Sequence, residues 1–175
     1  QGEFSYTNSL EDVDEIIEYL SQPNTQKTLR IKPNAFVLLG RSFGGGISLI
    51  KGSTNNKVKK IIAISSMNAG TRFKENHDKK DLKGWKDYLD KQIMLNVNAN
   101  EFLNEMITNR RVFNVVTYKK YLKKKKVLII EDTKNNFSWI NKLTNIEYQL
   151  IKSDHSFISN RIHLTKTIIN WLNKK

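Results

Sequence analysis

The stretch Phe36–Ile50, FVLLGRSFGGGISLI, decides how this chain is expected to fold. Its first apolar run breaks at Gly40-Arg41-Ser42-Phe43-Gly44, and a second apolar run follows two more glycines. An apolar strand followed by a glycine-rich break and a helical pattern is typical of a parallel sheet covered by helices. We therefore predict a strand over 35–39, a helix over about 43–51, and Ser42 on the tight turn between them.

A serine in this place is a candidate nucleophile. The turn lies at the carboxyl end of the predicted sheet, where open α/β sheets bind their ligands. We expect Gly40 and Gly44 to let neighbouring backbone approach closely. The amino end of the helix is electropositive, and the backbone NH of Phe43 is the natural first donor to an oxyanion. The alternative is that Ser42 is an ordinary residue at a helix start.

Strands and helices alternate through the rest of the chain. A turn at Lys32-Pro33-Asn34 is expected before the first strand, and no clear strand is expected between Asn68 and Tyr121. These patterns predict an α/β fold, a mostly parallel sheet with helices on both faces. The remaining predicted elements are a helix from an N-cap at Ser9 to Leu20, strands over 58–65, 127–130 and 146–151, and a closing helix over 162–172.

Composition narrows the classes of partner. The chain has 175 residues, 38% hydrophobic, which suits one domain, and no apolar run is long enough to cross a bilayer. The net charge of +13 would suit nucleic acid if it lay on one face, but the lysines flank the predicted elements without interleaved aromatics. A nucleic-acid partner is therefore not expected. Cysteine is absent and His77, His155 and His163 show no paired ligand spacing, so we expect no metal and no cofactor.

Two downstream segments complete a resemblance to a known family. The run Val127–Asn136 is a strand followed by an acidic turn, and Lys152–Phe157 carries Asp154-His155 before the closing helix. Together with G-x-S-x-G at 40–44, these segments resemble the α/β-hydrolase superfamily, in its serine hydrolases related to prolyl oligopeptidase, dienelactone hydrolase and serine aminopeptidase. The family's chain order of Ser, acid and His is kept.

The resemblance implies roles for particular residues. Ser42 would be the nucleophile, His155 the general base, and the Phe43 NH an oxyanion donor. The family's acid falls on Asn135, which is neutral, and such a replacement typically costs about four orders of magnitude in turnover. Asp132, three residues earlier on the same turn, is the alternative, and the resemblance leaves both open.

The resemblance covers nearly the whole chain but only the second half of such a fold. We expect residues 1–175 to be an N-terminally incomplete hydrolase-like domain, with 70–121 as a helical cap insertion and without the family's second oxyanion donor. The strand over 35–39 would then expose an unpaired edge through which the chain could pair. The implied substrate is a small-molecule or peptide acyl compound, an ester, thioester or peptide-like bond, cleaved through an acyl-enzyme. The alternatives are a catalytically impaired relative that binds partners through its basic surface, and a half-domain completed by another chain.

Overall fold

The computed structural model describes residues 2–31, 35–73 and 79–174. The turn predicted at Lys32-Pro33-Asn34 lies outside these residues. Contacts divide the chain into two compact units, one of residues 1–33 with 68–115 and one of 34–67 with 116–175. In the ranges just given, no helix combines the length and the hydropathy that a bilayer crossing requires.

Helices and strands follow the predicted order, with most boundaries moved by one to three residues. Short 3-10 turns at Val115–Tyr118 and Ile158–Asn160 precede two of the helices. The elements in chain order are α1 (Tyr6–Ser21), α2 (Pro23–Leu29), β1 (Phe36–Arg41), α3 (Phe43–Thr54), β2 (Val58–Ile64), α4 (Ala69–Arg72), α5 (Lys79–Asp90), α6 (Ala99–Thr108), α7 (Lys119–Leu122), β3 (Lys126–Glu131), α8 (Phe137–Ile140), β4 (Glu147–Leu150) and α9 (Arg161–Leu172).

Helix α1 starts one turn earlier than predicted. Its N-cap is Ser5, whose hydroxyl accepts the Asn8 NH at 3.0 Å, while the predicted cap, Ser9, donates its own hydroxyl to the Ser5 carbonyl. The Glu105 carboxylate of α6 accepts the NH groups of Tyr6 and Thr7, both at 2.9 Å. A carboxylate at a helix amino end satisfies free NH groups and opposes the positive end of the dipole. The prediction of Ser9 as the cap is therefore wrong, because Ser5 caps the helix one turn earlier and Glu105 accepts its first NH groups.

The first unit is held by packed aromatic rings. Phe73 is fully buried, and its ring centroid lies 5.4 Å from that of Trp85, which in turn meets Tyr88 edge-on at 5.9 Å. Phe102 is buried and stacks on Phe4 at 5.6 Å. These aromatics of the predicted cap therefore pack within their own unit. The assignment of 70–121 as a cap insertion stays a prediction.

The second unit contains the parallel sheet. Among the described residues its strands lie in the order β1-β2-β3-β4, each parallel to its neighbour. Ile62 of β2 faces Leu39 on one side and Leu128 on the other, so β2 and β3 are central. Their apolar runs are buried because helices cover both faces of the sheet.

The two faces can be assigned from neighbouring side chains of β2. Gly52 of α3 lies so close to Ile61 that a Cβ at position 52 would come within 2.7 Å of it. Ile62 points the other way and shares a buried cluster with Trp171 of α9. Helices α3 and α9 therefore cover opposite faces, as the fold prediction requires.

Strand β1 is less buried than its sequence indicates. Within the described parts of the chain it pairs with β2 alone, and Val37 and Leu39 keep 43% and 52% of their surface exposed. The apolar run over 35–39 indicates a fully buried strand, and the exposed Val37 and Leu39 show that β1 is buried only in part. An apolar edge strand presents unpaired NH and carbonyl groups and is a template for pairing.

We expect the 175-residue chain to self-associate through β1. The change Leu39→Lys places a charge on the exposed face of this strand and should shift sedimentation velocity profiles from oligomer towards monomer. Ile169→Lys, at a residue of α9 that is 50% exposed, is the matched control and should leave the profiles unchanged. A wild-type chain that stays monomeric over a wide range of concentrations would contradict this prediction.

Candidate active site

Ser42 occupies the turn between β1 and α3 in a strained conformation. Its φ of 53° and ψ of −116° are costly for a residue with a Cβ, and its side chain does not cap α3. The Ser42 NH donates to the Ile64 carbonyl at 2.8 Å, and the Ser42 carbonyl accepts the Met67 NH at 2.9 Å. The second unit therefore fixes the backbone of Ser42 from both sides and leaves its hydroxyl outside the helix cap.

Close backbone approach explains one predicted glycine but not the other. A Cβ at Gly40 would lie 2.0 Å from the Gly44 carbonyl oxygen, so no other residue fits there without a shift of the backbone. A Cβ at Gly44 would meet nothing within 4 Å, and the prediction for this residue is wrong. The second close approach belongs to Gly45, where a Cβ would lie 2.9 Å from the Ser66 hydroxyl.

His155 lies in the loop between β4 and α9, with 53% of its side chain exposed. Its carbonyl accepts a hydrogen bond from the Arg41 guanidinium at 3.0 Å. Asp154 organises the same loop, since its carboxylate accepts the NH groups of Ser156 at 2.8 Å and Ile158 at 3.1 Å. Asp154 therefore shapes the loop that carries the imidazole.

The carboxylate beside the imidazole is Asp132. Its Oδ2 lies 3.4 Å from His155 Nδ1, and its Oδ1 accepts the Ser65 hydroxyl at 2.8 Å. Asn135, the other candidate, is exposed in the turn, where its NH donates to the Thr133 hydroxyl at 3.3 Å. Of the two residues that the sequence left open, the structure brings Asp132 to the imidazole.

A second acid, Glu131, directly precedes Asp132 and is fully buried. Its carboxylate accepts the side-chain NH of Asn136 at 2.7 Å and the backbone NH of Ser66 at 3.0 Å. Burial raises the pKa of Glu131 to about 7; the bonds from Asn136 and Ser66 oppose the rise, and the charge of Asp132 adds to it. Sequence reasoning missed this group, although an acid that ends an apolar strand, next to a second acid, was a visible signal.

The remaining residues named from the sequence are Phe43, His163 and His77. Phe43 is the first residue of α3, half buried, so its NH lies at the amino end of that helix. His163 is exposed on α9, and His77 lies outside the described residues. No group of three or more histidine, cysteine or acidic side chains with the geometry of a metal site occurs in 2–31, 35–73 and 79–174.

Comparison with known proteins finds solved structures of similar fold. No protein-family model and no curated protein matches the chain. Among solved structures, the acylaminoacyl peptidase of Pyrococcus horikoshii matches with a TM-score of 0.63 and 16% identity, over 98% of this chain and 29% of its own. An esterase of Pyrococcus furiosus matches with a TM-score of 0.61 and 13% identity, over 93% of this chain and 60% of its own length. The enol-lactonase of Burkholderia xenovorans matches with a TM-score of 0.56 and 13% identity, over 99% of this chain and 75% of its own length.

Proposed function

Starting from the α/β-hydrolase fold of this chain, we propose that it is a serine hydrolase that cleaves an ester, thioester or peptide-like acyl bond. The observation that carries the proposal is the Asp132–His155 contact, 3.4 Å between Oδ2 and Nδ1, in the same unit as the strained Ser42 turn. A carboxylate at Nδ1 sets the tautomer in which Nε2 can take a proton. The similar solved structures are an esterase, a lactonase and a peptidase, whose reactions all transfer an acyl group.

The proposed reaction has two halves. Nε2 of His155 removes the hydroxyl proton of Ser42 while the oxygen attacks the carbonyl carbon, and the NH of Phe43 donates to the oxyanion. His155 then returns the proton to the leaving group, which departs as an alcohol, thiol or amine. Water hydrolyses the acyl-enzyme by the same steps and releases the acid. The Asp132 carboxylate stabilises the imidazolium that forms.

The binding-protein alternative has a weaker basis. It rests on the neutral Asn135 at the family's acid position and on the net charge of +13. Because Asp132 supplies a carboxylate to His155, the neutral residue no longer argues against catalysis. The half-domain alternative concerns assembly, which the β1 experiment addresses.

We expect a fluorophosphonate probe to label the native 175-residue chain at Ser42. The probe requires an activated hydroxyl but no natural substrate, so it reports the nucleophile even if turnover is slow. Peptide mapping should place the phosphonyl group on Ser42, and prior heat denaturation should prevent labelling. Native protein that stays unlabelled, or a label on another serine, would contradict the proposed function.

A further inference from the structure

The segment Ser65–Met67, directly after β2, joins the Ser42 turn to the turn that carries Asp132. Met67 donates its NH to the Ser42 carbonyl at 2.9 Å. At the other end, the Ser65 NH donates to the carbonyl of Ile130 in β3 at 2.8 Å. Backbone bonds therefore hold this segment in register with the turns after β1 and β3.

Buried polar groups fasten the middle of the segment. Ser66 donates its NH to Glu131 Oε1 at 3.0 Å, and its carbonyl accepts the Asn136 side chain at 2.9 Å. The same Asn136 nitrogen donates to Glu131 Oε2 at 2.7 Å, which closes a ring of three residues. A buried network of hydrogen bonds of this kind rigidifies its surroundings. The ring therefore fixes the backbone from which the Ser65 side chain projects.

Ser65 has two unusual properties. Its φ of 43° is unfavourable for a residue with a Cβ, and only 4% of its surface is exposed. Its hydroxyl donates to Asp132 Oδ1 at 2.8 Å, while Oδ2 of the same carboxylate lies 3.4 Å from His155 Nδ1. The two carboxylate oxygens are thus divided between Ser65 and His155. An aspartate carboxylate otherwise turns easily about χ2, whose energy wells are broad.

We propose that Ser65 is a positioning residue, whose hydroxyl fixes the Asp132 carboxylate so that its second oxygen faces Nδ1 of His155. The inference rests on the proposed function, in which this carboxylate orients the base. It adds a residue from the turn after β2 to the proposed Ser42, His155 and Asp132. Ser65 touches neither the substrate nor the reacting atoms and acts through Asp132.

Two substitutions of Ser65 test the proposal by kinetics on a small activated ester. Ser65→Ala removes the hydroxyl and keeps the Cβ, and should lower kcat roughly tenfold with KM unchanged, because a hydrogen bond to a charged group is lost. Ser65→Gly removes the same hydroxyl and should lower kcat equally. Because glycine also relieves the strain of the positive φ, the melting temperature of this variant should differ from that of Ser65→Ala. Rates are divided by the active-site concentration from fluorophosphonate titration, which removes any effect of the folded fraction.

Ser53→Ala is the matched control. Ser53 is 3% exposed in α3, and its hydroxyl donates to the Ile50 carbonyl of the same helix at 2.7 Å. This variant loses a buried hydroxyl far from Asp132, so its stability should fall while kcat stays at the wild-type value. Equal losses of kcat in Ser53→Ala and Ser65→Ala would overturn the proposal.

A proton NMR measurement separates this inference from the proposed function. An imidazole Nδ1–H held against a carboxylate gives a low-field resonance, which Asp132→Asn should abolish and Ser65→Ala should shift or broaden. An unchanged resonance in Ser65→Ala would overturn the role of Ser65, whatever the activity. A wild-type chain with the resonance but without hydrolysis or labelling would instead refute the proposed function.

Discussion

Replacing Ser42 by alanine is expected to abolish hydrolysis of activated esters, with a loss of about four orders of magnitude or more in kcat/KM. The proposed reaction forms its covalent bond at this hydroxyl, and removal of a nucleophile leaves only substrate binding and oxyanion stabilisation. Alanine keeps the Cβ, so the backbone at φ 53° is as strained as before and the melting temperature should change little. Initial rates, corrected for the uncatalysed reaction, measure the loss. Ser138→Ala, at an exposed serine of α8, is the control and should keep the wild-type rate.

A cysteine at the same position gives a test without any substrate. The chain contains no cysteine, so Ser42→Cys and Ser138→Cys each carry a single thiol. If an imidazole reaches the side chain at position 42, iodoacetamide should alkylate the Ser42→Cys thiol faster than the Ser138→Cys thiol at neutral pH. The reason is that an adjacent imidazolium lowers the pKa of a thiol. Adding His155→Gln should remove the difference. Equal alkylation of the two single-cysteine variants would argue that His155 does not serve position 42.

The second large effect is expected at the acid. Asp132→Asn should lower kcat by about four orders of magnitude, because an amide beside Nδ1 favours the imidazole tautomer that cannot accept the serine proton. The amide nearly matches the carboxylate in size, so the turn after β3 should keep its shape. Steady-state kinetics with a small activated ester, together with a melting curve for each variant, separate the loss of turnover from any loss of folding.

Asn135 provides the matched comparison three residues away. Its side chain is exposed and Asp132 already faces the imidazole, so Asn135→Ala and Asn135→Asp should change kcat less than about twofold. The opposite pattern, in which Asn135→Asp raises turnover strongly and Asp132→Asn leaves it unchanged, would show that the acid position of the site is 135, as in the family, and not 132. Equal losses at both positions would point to disturbance of the turn as a whole.

The order of the elements could be read from the chain because each signal is local. The apolar runs of β2 and β3, the glycine-rich break after β1 and the polar turns each lie within a few neighbouring residues. For the same reason the tight turn at Ser42 could be located. The bonds from the Tyr6 and Thr7 NH groups to Glu105, about a hundred residues away, could not be predicted, although the N-cap itself, Ser5, is local.

The acid of the candidate site shows the limit of pattern matching most clearly. The resemblance puts the family's acid at Asn135, with Asp132, three residues earlier on the same turn, as the alternative. The contact of Asp132 with His155 depends on how the carboxyl ends of β3 and β4 lie side by side, and its bond from Ser65 depends on the pairing of β2 with β3. No local signal carries those distances.

By itself, then, the sequence determined an alternating α/β chain with a serine on a tight turn and an imidazole in a late loop, since strand and helix patterns and turn chemistry act between near neighbours. The tertiary structure alone decided which carboxylate meets the imidazole, that the Ser65 hydroxyl bonds to that carboxylate, and that the Val37 and Leu39 side chains of β1 are exposed. These features depend on sheet register and on which strands lie side by side, and both are set by packing between residues far apart in the chain.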